Sequence, residues 1–277
     1  MTAAQTTLPF SPGAPTPYVH GYSADESRRL NDQAGTLAEL LHGGTAYPPG
    51  STVLEVGCGV GAQTVHLAAA SPGARLVAVD VSEDSLAQAR ARVPGVEFRR
   101  ADLHDLPFPD ASFDHLFVCF VLEHLPDPGA ALSGLRRVLR PGGSLTVIEG
   151  DHGSAFLHPD SPHARAAIDC LVRLQSAGGG DGLLGRRLYP LLTAAGYTDV
   201  QVRPRTVYVD GGRPELAEGF TRNTFTAMVA GVRDEAVAAG LITPADFDRG
   251  VRDLLRAAEP DGTFHYAFLK ARALRPE

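Results

Sequence analysis

The stretch that decides the fold runs from Val53 to Thr64 and reads Val-Leu-Glu-Val-Gly-Cys-Gly-Val-Gly-Ala-Gln-Thr. Residues 52–56 form a short β-branched, apolar run, which is typical of a buried parallel strand. The glycines that follow allow a sharp turn and a close approach of the backbone to a ligand. Residues 62–70 then have the composition of a helix. A strand, a glycine turn and a helix N-terminus present backbone N–H groups to an electron-rich ligand, so we expect a nucleotide or nucleoside site.

Two kinds of cofactor fit this glycine loop. Gly57, Gly59 and Ala62 satisfy the G-x-G-x-x-G/A fingerprint of dinucleotide-binding domains. With Glu55 and Gly61 the segment also resembles motif I of the class I S-adenosylmethionine-dependent methyltransferases. In that family the loop passes under the methionine and ribose parts of the cofactor. The resemblance implies that S-adenosylmethionine is contacted by Glu55, Gly57, Cys58, Gly59 and Gly61.

Length and composition exclude several classes of protein. The 277 residues can form one large domain, or one domain with an elaborated cap. No apolar run approaches the roughly 20 residues that span a bilayer. The first residues lack the basic and apolar regions of a signal peptide. We therefore expect a cytoplasmic protein with no membrane partner.

Charge and cysteine content narrow the choice further. The net charge of -7 argues against nucleic acid as a partner, because that needs a clustered basic surface. The three cysteines, Cys58, Cys119 and Cys170, are odd in number and lack paired metal-ligand spacing. We expect neither a disulfide framework nor a metal site, and a monomer or homodimer that acts on a small molecule.

The N-terminal residues predict an arm followed by a helix. Prolines at 9, 12, 15 and 17 exclude a helix or a central strand, so residues 1–22 are expected to be a flexible arm before a domain over 23–277. Ser23 and Glu26 form a capping box, and apolar residues at helical spacing continue to Leu41. His20-Gly-Tyr22 and the segment up to Gln33 resemble the part that closes over the cofactor in many relatives. Simple packing of Gln33 against the sheet is an equal alternative.

A second strand, from Arg75 to Asp80, ends in an acid and is followed by Val81. A carboxylate roughly 20 residues beyond a glycine loop can accept hydrogen bonds from both hydroxyls of a ribose. In the family that Glu55 to Gly61 resemble, the matching acid has this role. The resemblance therefore implies that Asp80, with Val81 beside it, binds the nucleoside of the cofactor.

The next two strands carry further motifs of the same family. The strand at residues 96–101 leads into Asp102 and Leu103, and the resemblance implies that these bind the adenine amino group and ring. The strand at residues 113–120 contains Cys119 and leads to His124, whose place in the family lies beside the methionine end of the cofactor. Asp127 and Pro128 have the pattern of a helix N-terminus, and a Pro-Gly-Gly turn precedes a fifth strand at 144–149.

Alternation of five strands with helices implies right-handed crossovers and a parallel sheet with its ligand at the carboxyl edge. The resemblance implies an α/β, Rossmann-like class I methyltransferase fold. Its sheet has seven strands, mostly parallel with an antiparallel last strand, and helices cover both faces. The last two strands are expected at 198–207 and 263–269. Insertions at about 151–185 and 208–262 are expected to form a helical cap over the substrate.

The acid-histidine pair after the fifth strand is the candidate for catalysis. Asp151 and His152 follow Glu149 at the carboxyl end of that strand. A histidine titrates near neutral pH and, oriented by the adjacent Asp151, could take a proton from an acceptor hydroxyl or an activated carbon. His152 could also bind substrate or pack against the inserted helix. Tyr22 could instead deprotonate or orient the acceptor.

The motifs together predict an S-adenosylmethionine-dependent methyltransferase acting on a small molecule, most similar to the ubiquinone and menaquinone biosynthesis subfamily. No Asn/Asp-Pro-Pro-Tyr/Phe segment follows the fourth strand, which disfavours planar amines and amides of DNA or protein. The acceptor is expected to be an O, N or C nucleophile of a metabolite or natural product. Two alternatives stay open: an S-adenosylmethionine-binding regulatory protein without methyl transfer, and a nicotinamide-dependent oxidoreductase.

Overall fold

A seven-stranded sheet forms the centre of the computed structural model, which describes residues 35–277. The strands follow one another in space in the order β3-β2-β1-β4-β5-β7-β6. Their bounds are β1 Thr52–Val56, β2 Arg75–Asp80, β3 Glu97–Arg100, β4 Phe113–Cys119, β5 Leu139–His158, β6 Thr198–Val209 and β7 Thr263–Leu274. The predicted arm, the capping box, Tyr22 and Gln33 lie outside the described residues.

Strands β1 to β5 are mutually parallel, and β7 pairs antiparallel with both β5 and β6. Strand β1 lies between β2 and β4. The chain therefore adds β2 and β3 on one side of β1 and then crosses over to add β4 and β5 on its other side. A crevice opens outside the carboxyl ends of the strands at such a switch point. The predicted fold class is confirmed, because both the parallel order and the antiparallel end follow the expected pattern.

Helices connect these strands. The helical segment at residues 35–42, here α1, is followed by α2 Thr64–Ala70, α3 Glu83–Arg92, α4 Pro128–Val138, α5 Pro162–Ala177, α6 Leu188–Ala194, α7 Pro214–Leu216, α8 Ala227–Gly231, α9 Arg233–Ala238 and α10 Pro244–Arg256. A π-helical segment, Ala217–Thr226, joins α7 to α8. The predicted N-cap Asp127 is confirmed, since its side chain accepts a bond from the first turn of α4, and Ser82 and Thr243 cap α3 and α10 in the same way.

The core has two sides because side chains of a strand alternate between its faces. Val77 and Val79 of β2 pack with the buried leucines of α4 and α6 on one face. Helices α1 and α2 cover the other face, where Phe117 of β4 lies in the same apolar cluster as Leu41 and Leu67. The sheet is therefore a buried middle layer, and only its edges are open to a ligand.

Strand β5 is longer than the expected segment at 144–149. It begins at Leu139, includes the Pro-Gly-Gly segment expected to be a turn, and continues to His158. Antiparallel pairing with β7 from Ser144 to His158 supplies the extra hydrogen bonds, with a register shift between Asp151 and Phe156. Within the Pro-Gly-Gly segment Gly142 has a φ of +71°, a turn-like conformation that favours glycine, and regular pairing with β7 begins only at Ser144.

Helices of the two predicted insertions pack together on one face of the sheet. Leu171 of α5, Phe225 of the π-helical segment and Phe247 of α10 belong to the same apolar cluster as Phe264 of β7. This packing places residues 151–185 and 208–262 beside the ends of β4 and β5. None of the helices within residues 35–277 has the length and apolar character that crossing a bilayer requires.

Candidate functional site

The glycine loop after β1 is folded against the neighbouring strand β2. The N–H groups of Gly57 and Cys58 both donate to the carbonyl oxygen of Val79, at 2.8 and 3.0 Å. Gly57 has a φ of +72°, and a Cβ added there would lie 2.4 Å from the Val121 side chain after β4. The loop therefore needs glycine both for its backbone conformation and for the close approach of the segment after β4.

Asp80 lies at the carboxyl end of β2, facing this loop. Its Oδ2 accepts a hydrogen bond from Gly59 N at 2.8 Å, and its Oδ1 accepts from Ser82 N at 2.9 Å. Burial raises the pKa of the carboxyl, and these backbone bonds partly oppose that shift. Each carboxylate oxygen can accept a second bond, so this acid can hold two vicinal hydroxyls beside the loop. Val81, the next residue, is 45% exposed.

Asp102 and Leu103 follow β3 along the same edge. The Oδ1 of Asp102 accepts a hydrogen bond from His104 N at 2.9 Å, which fixes the side chain over its own turn. Asp102 is exposed and Leu103 is half-buried. Their location next to the end of β2 is the one expected for residues that bind a base attached to a ribose.

Glu55 is buried behind the loop at 3% exposure. Burial raises the pKa of its carboxyl to about 8, and the nearby Asp80 contributes in the same direction. Cys58 is buried at 5% exposure and packs against α3 residues such as Ala89. Glu55 and Cys58 therefore lie inside the loop, and Gly57, Gly59 and Asp80 are partly exposed at its edge.

Beyond β4 the chain turns sharply. Phe120 has a φ of +58°, and its N–H donates to Ile148 O at 2.9 Å. The fully buried Glu149 of β5 holds the following residues, since its Oε1 accepts from Val121 N at 3.2 Å and Leu122 N at 2.8 Å. Cys119, just before the turn, is buried at 8% exposure. Glu149 thus fixes the segment that also contacts Gly57.

His124 and Glu123 occupy the short 3-10 helix Leu122–His124 after this turn. The Nε2 of His124 lies 3.4 Å from Glu123 Oε1. Burial and the charge of Glu123 raise the pKa of Glu149 well above its usual range. Two carboxyl groups that repel each other in a buried place cannot both ionise easily, so burial and repulsion favour the protonated form of Glu149.

The predicted pairing of Asp151 with His152 is wrong. Asp151 instead forms a bidentate ion pair with Arg186, with Nε–Oδ2 and Nη2–Oδ1 distances of 2.9 and 2.7 Å. His152 is 3% exposed, and its Nδ1 lies 2.9 Å from the hydroxyl of Tyr266 on β7. The physical reason is strand geometry: consecutive side chains of β5 point to opposite sides. The structure therefore brings the His152 ring to the Tyr266 hydroxyl, and the Asp151 carboxylate is bonded to Arg186 instead.

The sequence analysis missed two buried polar residues at this place. Tyr266 is 2% exposed, and its hydroxyl lies 2.4 Å from where a Cβ of Gly150 would be. Gln175 of α5 is fully buried. A Cβ added to Gly182 would lie 2.5 Å from Gln175 Oε1 and 2.8 Å from His152 Cδ2. We name five residues the polar cluster: Glu123, Glu149, His152, Gln175 and Tyr266.

A sequence signal for both missed residues exists. Gln175 follows Ile168 and Leu171 at helical spacing, so an amide occupies the apolar stripe of α5. Tyr266 alternates with Phe264 and Phe268 along β7, which places its hydroxyl on the buried face. A polar group in the middle of an apolar pattern needs a partner inside the protein, and that requirement marks candidate site residues.

The carboxyl edge of the sheet thus fits a nucleoside cofactor such as S-adenosylmethionine. Gly57 lets the segment after β4 pack closely on the loop, the space beside Gly59 is open, and Asp80 offers two acceptor oxygens beside it. The polar cluster lies beyond the ends of β4 and β5, on the far side of the Gly57–Val121 contact. Within residues 35–277, no group of three or more His, Cys, Asp or Glu side chains is arranged to hold a metal ion.

Comparison with known families places residues 54–147 in the methyltransferase domain family. The chain is 27% identical to the 27-O-demethylrifamycin SV methyltransferase of Amycolatopsis mediterranei, over 91% of this chain and 88% of that protein. It is 38% identical to the demethylmenaquinone methyltransferase of Clavibacter sepedonicus, over 52% and 56%. The chain spans little more than half the length of some relatives that it matches.

Among solved structures, the fold is similar to that of phosphoethanolamine N-methyltransferase 2 of Haemonchus contortus, determined with phosphomonomethylethanolamine and S-adenosylhomocysteine. The TM-score is 0.57 at 17% identity, covering 92% of this chain and 59% of the other. At that identity the likeness establishes the fold alone.

Proposed function

Because the chain belongs to the class I S-adenosylmethionine-dependent methyltransferases, we propose that it transfers a methyl group to an O, N or C nucleophile of a small metabolite or natural product. The main support for the proposal is that two sets of residues lie at the same edge of the sheet. A glycine loop with Asp80 lies at the ends of β1 and β2, and the polar cluster lies at the ends of β4 and β5.

The first set would hold the cofactor. Gly57 and Gly59 let the backbone approach it, and Asp80 would accept hydrogen bonds from the ribose hydroxyls. Asp102 and Leu103 would bind the adenine, with Val81 against the same part. Glu55, Cys58, Gly61, Cys119 and His124 would support these contacts from the surrounding loops, and Gln33 and Tyr22 stay predictions outside the described residues. When bound, S-adenosylmethionine supplies an electrophilic methyl carbon on its sulfonium.

The second set would orient and deprotonate the acceptor. In the tautomer that donates from Nδ1 to Tyr266 Oη, the basic nitrogen of His152 is Nε2. A proton from an acceptor hydroxyl would pass to this nitrogen as the oxygen becomes nucleophilic. Asp151 would act indirectly, because its ion pair with Arg186 fixes the strand segment that carries His152. The inserted helices would exclude water from the reacting groups.

A turnover assay tests methyl transfer against binding alone. The protein is incubated with S-adenosylmethionine and a metabolite extract, and S-adenosylhomocysteine is quantified. We expect formation of S-adenosylhomocysteine that depends on the extract. Cofactor binding with no turnover in any extract fraction would favour the alternative of a regulatory protein without methyl transfer.

Asp80→Ala tests the cofactor site in the same preparation. Loss of two charge-assisted acceptor positions is expected to weaken S-adenosylhomocysteine binding by on the order of 2–3 kcal/mol, or roughly a hundredfold. Calorimetry measures the affinity, and Asp84→Ala on the exposed surface of α3 is the matched control. An affinity for Asp80→Ala equal to that of the wild type would show that the cofactor binds elsewhere.

A further inference from the structure

Gln175 is a buried side chain whose hydrogen-bonding atoms the fold does not use. It is fully buried, and among the described residues neither its Nε2 nor its Oε1 has a hydrogen-bond partner. Burying an amide without partners costs roughly 1–3 kcal/mol in proteins, so an amide in this state normally has a water or ligand bound to it. The amide therefore marks a place where a polar molecule binds.

The surroundings of Gln175 connect it to the end of β5. Its Oε1 and Cδ2 of His152 lie 2.5 and 2.8 Å from the same point, the position that a Cβ of Gly182 would occupy. Since Cδ2 is bonded to Nε2 in the imidazole ring, the amide faces the edge of His152 that carries Nε2. The amide and the proposed base thus both pack closely against Gly182, where a side chain would collide with each of them.

Backbone bonds hold this arrangement in place. Asp181 N donates to Glu123 O at 2.8 Å, and His152 N donates to Gly182 O at 2.9 Å. Gly180 N donates to Gln175 O at 2.9 Å, which ties the end of α5 to the same loop. The loop at residues 178–182 therefore links the turn after β4, the end of β5 and helix α5, and Gln175 is positioned by all three.

The charge of the polar cluster restricts what can bind. Burial raises the pKa of Tyr266 well above its usual range, and the nearby Glu123, Asp151 and Glu149 shift it further in that direction. Arg186 lies at the same end of β5, but its guanidinium is paired with Asp151. Arg186 is already paired, and an added carboxylate would further disfavour ionisation of the buried acids Glu123 and Glu149, so an anionic acceptor is disfavoured.

The hydrogen-bonding groups of the Gln175 amide discriminate among the remaining kinds of methyl acceptor. Its Nε2 donates and its Oε1 accepts, so full satisfaction needs a group that does both. An ammonium only donates and a carboxylate only accepts, whereas a hydroxyl or a neighbouring hydroxyl and carbonyl does both. We propose that Gln175 binds the methyl acceptor and selects an uncharged, hydroxyl-bearing molecule, an inference that rests on the proposed methyl transfer.

The test compares acceptors and variants. Wild-type protein and Gln175→Leu are assayed with four probes: 27-O-demethylrifamycin SV and catechol as hydroxyl acceptors, trans-aconitate as a carboxylate and phosphoethanolamine as an amine. Gln201→Leu, on the exposed surface of β6, is the matched control. Initial velocities give kcat and KM, calorimetry gives the affinity for S-adenosylhomocysteine, and thermal unfolding reports stability.

We expect wild-type turnover with a hydroxyl probe and none with the carboxylate or the amine. Gln175→Leu should raise the KM for that hydroxyl probe roughly tenfold or more, because the acceptor loses its hydrogen bonds. Its affinity for S-adenosylhomocysteine should stay within about twofold of wild type. Its melting temperature should be unchanged or higher, since a buried amide without partners has been removed.

Three results would overturn the inference. An unchanged KM in Gln175→Leu with an unchanged melting temperature would show that the amide does not touch the acceptor. Turnover of only trans-aconitate or phosphoethanolamine, or of no hydroxyl probe, would show that the acceptor class is wrong. Failure of wild-type protein to bind S-adenosylhomocysteine would be a different result, because it contradicts the proposed function itself.

Discussion

The carboxyl group of Glu55 is held where its ionised form is disfavoured. It is buried at 3% exposure directly before the glycine loop, and burial raises its pKa from 4.5 to about 8. The folded protein therefore keeps a proton on Glu55 between these pH values, and the unfolded chain releases it. Stability then falls as the pH rises through this window, by up to about 1.4 kcal/mol per pH unit.

Glu55→Gln is expected to remove this dependence, because the amide stays neutral at every pH. The variant should match the wild type in melting temperature near pH 5 and exceed it near pH 8. Thermal unfolding across pH 5–9 checks the prediction, with Glu39→Gln on the exposed face of α1 as the control. Parallel pH profiles for Glu55→Gln and the wild type would mean that the carboxyl is ionised in the folded protein.

His152 is the residue whose replacement should separate chemistry from binding. If it takes the acceptor proton, His152→Ala should lower kcat by roughly 10² to 10⁴ and leave the affinity for S-adenosylhomocysteine nearly unchanged. The loss should be smaller at high pH, where the acceptor ionises without help. Steady-state kinetics at several pH values and calorimetry are the measurements. Near-native turnover at neutral pH would show that His152 is not the base. Catalysis would then depend on holding the acceptor close to the methyl group.

At the scale of elements, one lysine joins α1 to the sheet. Nζ of Lys270 on β7 donates to Leu41 O at 2.9 Å, to Gly43 O at 3.0 Å and to the hydroxyl of Thr45. Arg205 of β6 also donates to Gly43 O, at 3.1 Å. The last carbonyls of a helix lack partners within the helix, and cations are favourable at that end. The two side chains therefore fix where α1 ends relative to β6 and β7.

Lys270→Met should destabilise the protein by about 2 kcal/mol, because buried carbonyl groups lose their donors. Thermal or denaturant unfolding measures the loss, and Lys270→Arg, which keeps donors, should lose less.

Lys270 is the one lysine of the sequence, so acylation of its amine can be followed by mass spectrometry. At 9% exposure it should react slowly in the folded protein and quickly after unfolding. Rapid labelling under native conditions would contradict the proposed anchoring role.

At the scale of the whole molecule, the residues proposed to bind the cofactor come from several strands of one sheet. Gly57 follows β1, Asp80 ends β2 and Asp102 follows β3, and the polar cluster uses β5, β7 and an insertion. A ligand that contacts all these elements binds the folded chain and not the unfolded one. Binding must then stabilise the whole fold by mass action.

S-adenosylhomocysteine at about 100 times its dissociation constant should raise the free energy of unfolding by roughly 2.7 kcal/mol. For a protein of this size, that corresponds to an increase in melting temperature of about 5–10 °C. Thermal unfolding with and without the ligand measures it, and the oxidised nicotinamide dinucleotide is the comparison ligand. A shift with the dinucleotide and none with S-adenosylhomocysteine would favour the oxidoreductase alternative and refute the assigned cofactor.

The sequence alone determined the strand ends at which the cofactor site lies. The run before Gly57, the acid at Asp80 and the Asp127 N-cap are local signals, because each depends on residues within a turn or a strand of one another. Local patterns also predicted the order of strands and helices. The full length of β5 was not predictable from its own residues, since pairing with β7 continues it past Glu149 to His158.

Only the tertiary structure decided which side chains meet at the end of β5. Asp151 was expected beside His152 because the two are adjacent in sequence, yet alternation along a strand sends neighbours to opposite sides. His152 instead meets Tyr266, which is 114 residues away, and Asp151 meets Arg186, which is 35 residues away. Gln175 reaches the same place through the loop at residues 178–182. Such pairings depend on how distant elements pack, and a local sequence pattern contains no information about that packing.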